Sequence, residues 1–420
     1  MRETVVTPDS KPGLRDLLRN NNFRWLWLGQ IISNYGDSLA NLALLILINR
    51  LTGSTAAIAT VAILMALPQV TIGMVAGVFV DRWSRKRTMI VSDVLRGAVV
   101  LGLLLVRGPE DVWLLYALTL IQATVGVFFS PARMALLANI VSGEELLAAN
   151  SLSQTSRIIF GLIGTASAGV LIGLWSDFAI IFIIDALTFF VSALFTWRVL
   201  APGLARKQAD ATVRAILDEF MVGMRIIFSS RILIGVLVSA AVVMLGLGAV
   251  NVLFVPLLIN ELHLPETWFG AIEAAQVAGM VLGGSLTAIL AARLRPTRMI
   301  TLGLMAVGVG IGAIAAVTQV WHVMLLLFPI GLAMMPVNAA VATLTQTLVS
   351  DALRGRISAA LQTMIGAANI TSMALAGVLA GLVGVRNVFL MAGALAIVAG
   401  IIAIPIFGAT SAPASETVGT

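Results

Sequence analysis

Gln30, Asn34, Asp37 and Asn41 are spaced four, three and four residues apart, which places all four on one face of a helix. Asp37 follows Trp25 by twelve positions, about 18 Å along a helix at roughly 1.5 Å per residue, near the middle of an apolar core about 30 Å thick. A carboxylate at that depth costs about 2.5 to 3.5 kcal/mol and is functional by default. It can alternate between a proton and a substrate. Two explanations fit the polar stripe: a wall of a substrate cavity, or a hydrogen-bonding seam between helices. The seam accounts for the amides but not for the acid.

Other ionisable residues lie inside apolar runs. Asp185 is about 10 Å and Glu273 about 8 Å from the nearer ends of their spans. Each could join the cavity, reach the interface or cap a partner. Arg157 could neutralise a carboxylate, attract an anionic substrate group or serve a structural pair. Asp93 and Arg96, three apart, are expected to pair with each other or with nearby cations as part of a cytoplasmic gate. That gate centres on Gly77-Val-Phe-Val-Asp81-Arg82-Trp-Ser-Arg85-Lys86-Arg87, a knot of charge between two apolar runs. Gly73 and Gly77, four apart, would let one helix approach a neighbour closely. Cations that set topology alone would explain the basic residues, but not the acid among them.

The elements that must hold these residues are membrane helices. The chain has 420 residues, of which 59% are hydrophobic and only 11% charged, with a mean hydropathy of +1.03. Soluble proteins run near 25% charged and could not bury so much apolar surface. Twelve runs of about twenty apolar residues begin near Trp25, Thr55, Thr88, Val112, Asn150, Phe178, Arg231, Trp268, Met299, Trp321, Ile357 and Asn387. Residues 1–24 form an N-terminal segment, 25–200 and 231–408 two six-helix halves, 201–230 a linker and 409–420 a tail. Residues 1–22 are polar and carry no short apolar core of the signal-peptide kind, so the first helix is expected to remain in the membrane.

Charge orients this arrangement. Of the 26 Lys and Arg residues, 21 fall on one side of the twelve-helix layout and three, Arg50, Arg107 and Arg386, on the other. The positive-inside rule puts that basic side, and both termini, in the cytoplasm. The net charge of +6 therefore reflects topology, with no nucleic acid implied. Seven of the tryptophans, including Trp25, Trp113, Trp175 and Trp321, fall near span ends, where aromatic belts form. In the linker, Val213, Ile216, Leu217, Phe220, Met221 and Met224 share one helical face, as on an amphipathic helix lying on the membrane surface.

The halves repeat each other. Gly73-Met-Val-Ala-Gly77 recurs as Gly279-Met-Val-Leu-Gly283, Leu47-Ile-Asn49 as Leu258-Ile-Asn260, Gly36 and Asn41 as Gly246 and Asn251, and Pro131 as Pro336. Four matches at nearly one offset, half the chain, imply two repeats with a site near the midplane between them. The second copy of the glycine pair is followed by a sparser basic loop (Arg293, Arg295, Arg298) without an acid.

The pattern GxxxDRxxRKR resembles the loop signature of the major facilitator superfamily. Asn22-Phe-Arg-Trp25, Ser33-Asn-Tyr-Gly-Asp37, Leu51-Thr-Gly-Ser54, Asp93-Val-Leu-Arg96, Ala149-Asn-Ser-Leu152, Asp185-Ala-Leu-Thr-Phe189 and Leu353-Arg-Gly-Arg356 resemble the branch that contains macrolide efflux proteins, the enterobactin exporter and a lysophospholipid transporter. The resemblance spans nearly the whole chain. It implies an all-α membrane protein of twelve transmembrane helices with the major facilitator fold. It further implies that Asp81 caps the N-terminus of the eleventh helix, near Gly355 to Ser358, in an outward-facing state, with Arg85 joining the latch and Arg82 and Lys86 beside it. The acid that relatives often carry at the end of the fourth helix is replaced by Ser130-Pro131. Proton-coupled members carry a Gly-Pro step in the fifth helix, where this chain has Gly161-Leu-Ile-Gly164-Thr165 and Gly169. The glycines suit close helix packing, which ordinary small-residue seams would equally explain.

Several chemistries are excluded. No GxxxxGK[ST] accompanies Lys11, Lys86 or Lys207, so no phosphate-binding loop for ATP exists. Cysteine is absent and histidine is limited to His263 and His322, both in external loops, which leaves no thiol chemistry, His-based metal site or catalytic triad. The expectation is a transporter and not an enzyme, with no cofactor or metal, acting as a monomer in the cell membrane. It would export a small amphiphilic molecule of drug, macrolide or siderophore type by alternating access in exchange for protons. The alternatives are a lipid or lysophospholipid transporter without proton coupling and, more distantly, a non-transporting sensor or complex subunit.

Overall fold

In the computed structural model, residues 14–175, 177–200, 213–348 and 351–408 are described. Residues 1–13 of the N-terminal segment, 201–212 of the linker and the tail at 409–420 lie outside them. The described chain is helical throughout. A short α1 (Leu14–Arg19) leads into α2 (Asn21–Thr52), α3 (Thr55–Thr71), α4 (Gly73–Arg82), α5 (Arg85–Gly102), α6 (Val112–Ile140), α7 (Gly143–Trp175) and α8 (Ala179–Arg198). After the linker helix α9 (Val213–Ser229) come α10 (Arg231–Pro256), α11 (Trp268–Arg293), α12 (Pro296–Ile314), α13 (Val320–Leu348), α14 (Asp351–Val383) and α15 (Val385–Gly408).

Among the described residues eleven helices are long and apolar enough to span a bilayer, and α3 with α4, bent by 64°, bring the number to twelve if the pair is one span. Several helices start earlier than the apolar runs suggest, α7 at Gly143 and α14 at Asp351, because helices continue through the polar headgroup layer. The bend in the second span was not anticipated. Pro68 has no N–H for the ladder and Gly73 weakens the helix just beyond it, so the hydrogen-bonded path turns at Ile72.

Packing repeats as the sequence does. In the first half α2 lies against α7 and α8, α5 against α6 and α8, and α3 and α4 against α6. In the second half α10 lies against α14 and α15, α12 against α13 and α15, and α11 against α13. Between the halves, α3 meets α14 and α7 meets α11. These two contacts exchange under the repeat, so the halves are related by a pseudo-twofold axis running through the bundle. The linker helix α9 packs Phe220 and Met224 against Ile357, Ala360 and Leu361 of α14, while Met221 is exposed. It therefore leans on the second half as well as presenting an apolar face outward.

The two copies of the glycine pair behave differently. A Cβ on Gly279 or Gly283 would collide with the backbone carbonyls of Phe328 or Leu332 on α13. A Cβ on Gly77 would meet nothing, and one on Gly73 only the Gln69 side chain at the end of α3. Close approach is thus realised in α11 and not around α4, which the bend carries away. Gly279→Val should lower the melting temperature of the detergent-solubilised protein, by an overpacking penalty of about 1 to 3 kcal/mol, whereas Gly77→Ala should leave it unchanged. Equal losses from both would contradict the packing seen.

Candidate functional site

Asp37 lies midway along α2 and accepts a hydrogen bond from Arg96 Nη2 of α5 at 2.6 Å. The arginine is held in place by its surroundings. Its guanidinium carbon sits 4.2 Å from the centroid of the Phe189 ring on α8, a cation–π contact worth about 0.5 to 2 kcal/mol, and Gly126 of α6 leaves room beside its Nε. Gly36 does the same for α8, since a Cβ there would strike Thr188 and Asp185. Helices α2, α5, α6 and α8 thus converge on one ion pair.

Asn34, Asp37, Asn41 and Arg96 line a cavity of about 420 Å3. An adjoining chamber towards the basic loops shares Asn34, Asp37, Arg96 and Arg157 and adds Gln30, Ser33 and Arg133. A second cavity of about 420 Å3 shares Ser38 and Asn41 and reaches the other half at Asn251, Glu273 and Gln276, with Thr165 of α7 on its wall. The whole polar stripe of α2 therefore faces open space, and its Asn41 end also lines the cavity that reaches the other half. Asn41 and Asn251, related by the repeat, line the same cavity.

Arg96 does not belong to the charged loop. Eleven residues into α5, it pairs with Asp37 and not with Asp93. Asp93 is fully buried beside Ser192 of α8, and neither of its carboxylate oxygens has a hydrogen-bond partner. Spacing along α5 suggested a local pair, but the two side chains leave the helix towards different neighbours. Asp185, 1% exposed, accepts from the Thr188 hydroxyl at 3.4 Å, and that hydroxyl also donates to its carbonyl at 2.7 Å. In the loop, Asp81 is exposed and makes no hydrogen bond or ion pair among the described residues. Arg85 is buried and Lys86 donates to the carbonyl of Val199 at 2.8 Å. The glycines of α7 divide their roles: Gly161 and Gly164 abut Ser38 and Tyr35 of α2, whereas Gly169 abuts the Glu266 carbonyl of the other half.

Sequence spacing missed the contact that closes the end of the bundle opposite the basic loops. Asn49 and Asn260 donate to each other's amide oxygens, both at 3.0 Å. A residue that bonds its own repeat mate must sit at the pseudo-twofold axis, and the recurring Leu-Ile-Asn triplet was the available signal. Arg50 reinforces the seal with an ion pair to Glu266 at 2.6 Å, and the Thr55 hydroxyl donates to the Gly377 carbonyl at 2.9 Å. The cavity is thus shut at that end.

Residues 16–415 match the model of the family described as transmembrane secretion effectors. The chain belongs to this family of major facilitator transporters. Its relatives in the family and superfamily include the uncharacterized transporter YfiS of Bacillus subtilis, 28% identical over 92% of this chain and 94% of that one. Macrolide efflux protein A of Streptococcus pyogenes is 24% identical over 89% and 93%. In fold, the protein is similar to a bacterial homolog of the lysosomal transporter Spinster, solved in an inward-facing and unoccupied conformation, with a TM-score of 0.74, 14% identity and coverage of 97% and 100%. Members of this superfamily are multi-pass membrane transporters of small molecules, not enzymes.

Because this secretion effector contains no cysteine, a paired Asn49→Cys/Asn260→Cys variant gives a clean test of the seal. Oxidation should cross-link the two positions within one chain and stop transport, and reduction should restore it. Failure to cross-link, or full transport after cross-linking, would show that these asparagines do not meet in the working protein.

Proposed function

We propose that this protein exports a small amphiphilic molecule across the cell membrane by alternating access, in exchange for protons. The observation that carries the reading is the Asp37–Arg96 pair at the wall of a first-half cavity, beside a second cavity that reaches the other half, with the bundle sealed at one end. A carboxylate in that position accepts a proton when its arginine is drawn away and releases it when the pair re-forms. Substrate and proton then use the same group in turn. The positive-inside rule assigns the basic end to the cytoplasm, so the cavity described here opens inward. A transmembrane potential supplies about 2.3 kcal/mol per charge for each 100 mV.

Efflux is supported by the resemblance to macrolide efflux protein A, and the cavity mixes apolar side chains such as Leu44, Met65 and Phe182 with the polar stripe. Asp81, unpartnered in this closed-outside arrangement, is available to cap the N-terminus of α14 when the halves rock and the inner end closes. Glu273 and Thr165, on opposite halves, would separate or meet in the same movement.

In inside-out vesicles loaded with acid, adding a transported substrate should make the lumen more alkaline, and Asp37→Asn should abolish the signal while leaving membrane insertion intact. A wild-type protein that moves substrate with no change in luminal pH would sink proton exchange. Asp81→Asn should slow turnover several-fold without altering insertion. Unchanged transport in that variant would remove Asp81 from the inner gate.

A further inference from the structure

The chamber nearest the basic end holds more positive charge than its own residues can balance. Among the charged side chains lining it, Asp37 is already committed to Arg96, and Arg133 and Arg157 remain. Neither Arg133 nor Arg157 has an ion pair or hydrogen bond among the described residues. Both line the same chamber, from adjacent stretches of α6 and α7. Topology does not demand this arrangement, because Arg157 lies fourteen residues into α7, about 21 Å along the helix at roughly 1.5 Å per residue. An arginine there is costly unless something answers it.

The neighbouring side chains are suited to an anion. Ser130 precedes Arg133 by three positions on α6, and Asn150 and Ser153 precede Arg157 by seven and four on α7, so each lies on the same helix face as its arginine. Hydroxyl and amide donors beside two planar guanidinium forks make a site for carboxylate or phosphate oxygens, which guanidinium binds in bidentate geometry. No acid from α6 or α7 lines this chamber.

We propose that Arg133 and Arg157 form an anion-binding subsite at the inner mouth of the cavity, which takes the carboxylate or phosphate group of an amphiphilic substrate. The inference rests on the export reading and narrows its substrate class to molecules that carry an acidic group. The acidic head docks on the two arginines, and the apolar body extends along the cavity towards Leu44 and Met65. Asp37 answers Arg96 on the route beyond the subsite, where Asp185 also lines the wall. An anionic head would otherwise be trapped by a third free cation.

The test uses the full chain in phosphatidylcholine nanodiscs and two probes of equal chain length, N-lauroylglycine and its uncharged amide, N-lauroylglycinamide, with binding followed by tryptophan fluorescence. The wild type should bind the acid about tenfold or more tightly than the amide, as expected for charge-assisted hydrogen bonds. Arg133→Gln/Arg157→Gln should lose that preference and keep its affinity for the amide, which also reports that the variant is folded. Arg133→Lys/Arg157→Lys should recover part of it. Inorganic phosphate should compete with the acid weakly, and nanodiscs doped with phosphatidylglycerol should compete strongly only if a lipid headgroup is the natural occupant. Equal affinity for acid and amide in the wild type, or an unchanged preference in the double variant, would overturn the subsite. Substrate flux without charge preference would overturn this inference alone. Charge preference in a protein that moves none of the tested molecules would overturn the export reading alone.

Discussion

An arginine held in the interior of a membrane has to be neutralised, and the arrangement of the first half follows from how Arg96 is neutralised. Its charge is met by Asp37 on one side and the Phe189 ring on the other, which requires α2, α5 and α8 to converge at one depth. Gly36 is the place where α2 gives up a side chain so that α8 can approach. Removing one partner of a buried pair typically costs about 3 to 5 kcal/mol, because the survivor is left uncompensated. The pair is therefore strong enough to organise a cavity, yet partly exposed to it, with Asp37 the more open member at 29% against 13% for Arg96. Such a pair can be opened by a competing ligand or proton, and a fully buried one could not.

The two ends of the bundle are held by different chemistry. At one end, uncharged amides meet on the pseudo-twofold axis and an ion pair flanks them. At the other, a charged loop bears Asp81 with no partner among the described residues, and Arg356 ties α14 to the linker helix through Glu219 at 3.2 Å. Reciprocal amides are strong in register but carry no net charge, so they part without leaving an ion in the apolar layer. The asymmetry extends to the glycine pairs: α11 uses its copy for tight packing on α13, while no neighbouring helix crowds the glycines of the copy in α4, beyond the bend. Nearly identical short sequences thus serve a close contact in one half and a looser one in the other.

Much of this was legible from residue order. Twelve apolar runs, a lopsided distribution of cations and four repeated words were enough for the fold, because each span must satisfy its backbone internally and each loop must choose a side. Asp37 was visible as a carboxylate at mid-span with amides on its face. Its partner was not, because Arg96 comes from a helix 59 residues away and its spacing to Asp93 offered a nearer candidate. The Asn49–Asn260 contact lay hidden in plain repetition: the triplet marks the duplication, but only the position of the axis makes the two copies touch. The bend in the second span was equally indistinct, since Pro68 and Gly73 are each tolerated in straight membrane helices. In the sequence Arg133 is one of the 21 cations on the basic side, and it acquires meaning once α6 and α7 bring it to the same chamber as Arg157.

The central claim is that Asp37 and Arg96 act as one coupled unit. It is tested most directly by a double-mutant cycle on accumulation of a transported amphiphilic acid driven by a pH gradient in proteoliposomes, comparing Asp37→Asn, Arg96→Gln and the double variant. A coupled pair predicts that each single change abolishes gradient-driven accumulation, that Asp37→Asn still exchanges substrate down its gradient, and that the double variant is no worse than either single one. Losses that multiply in the double variant, or accumulation that survives Asp37→Asn, would contradict it.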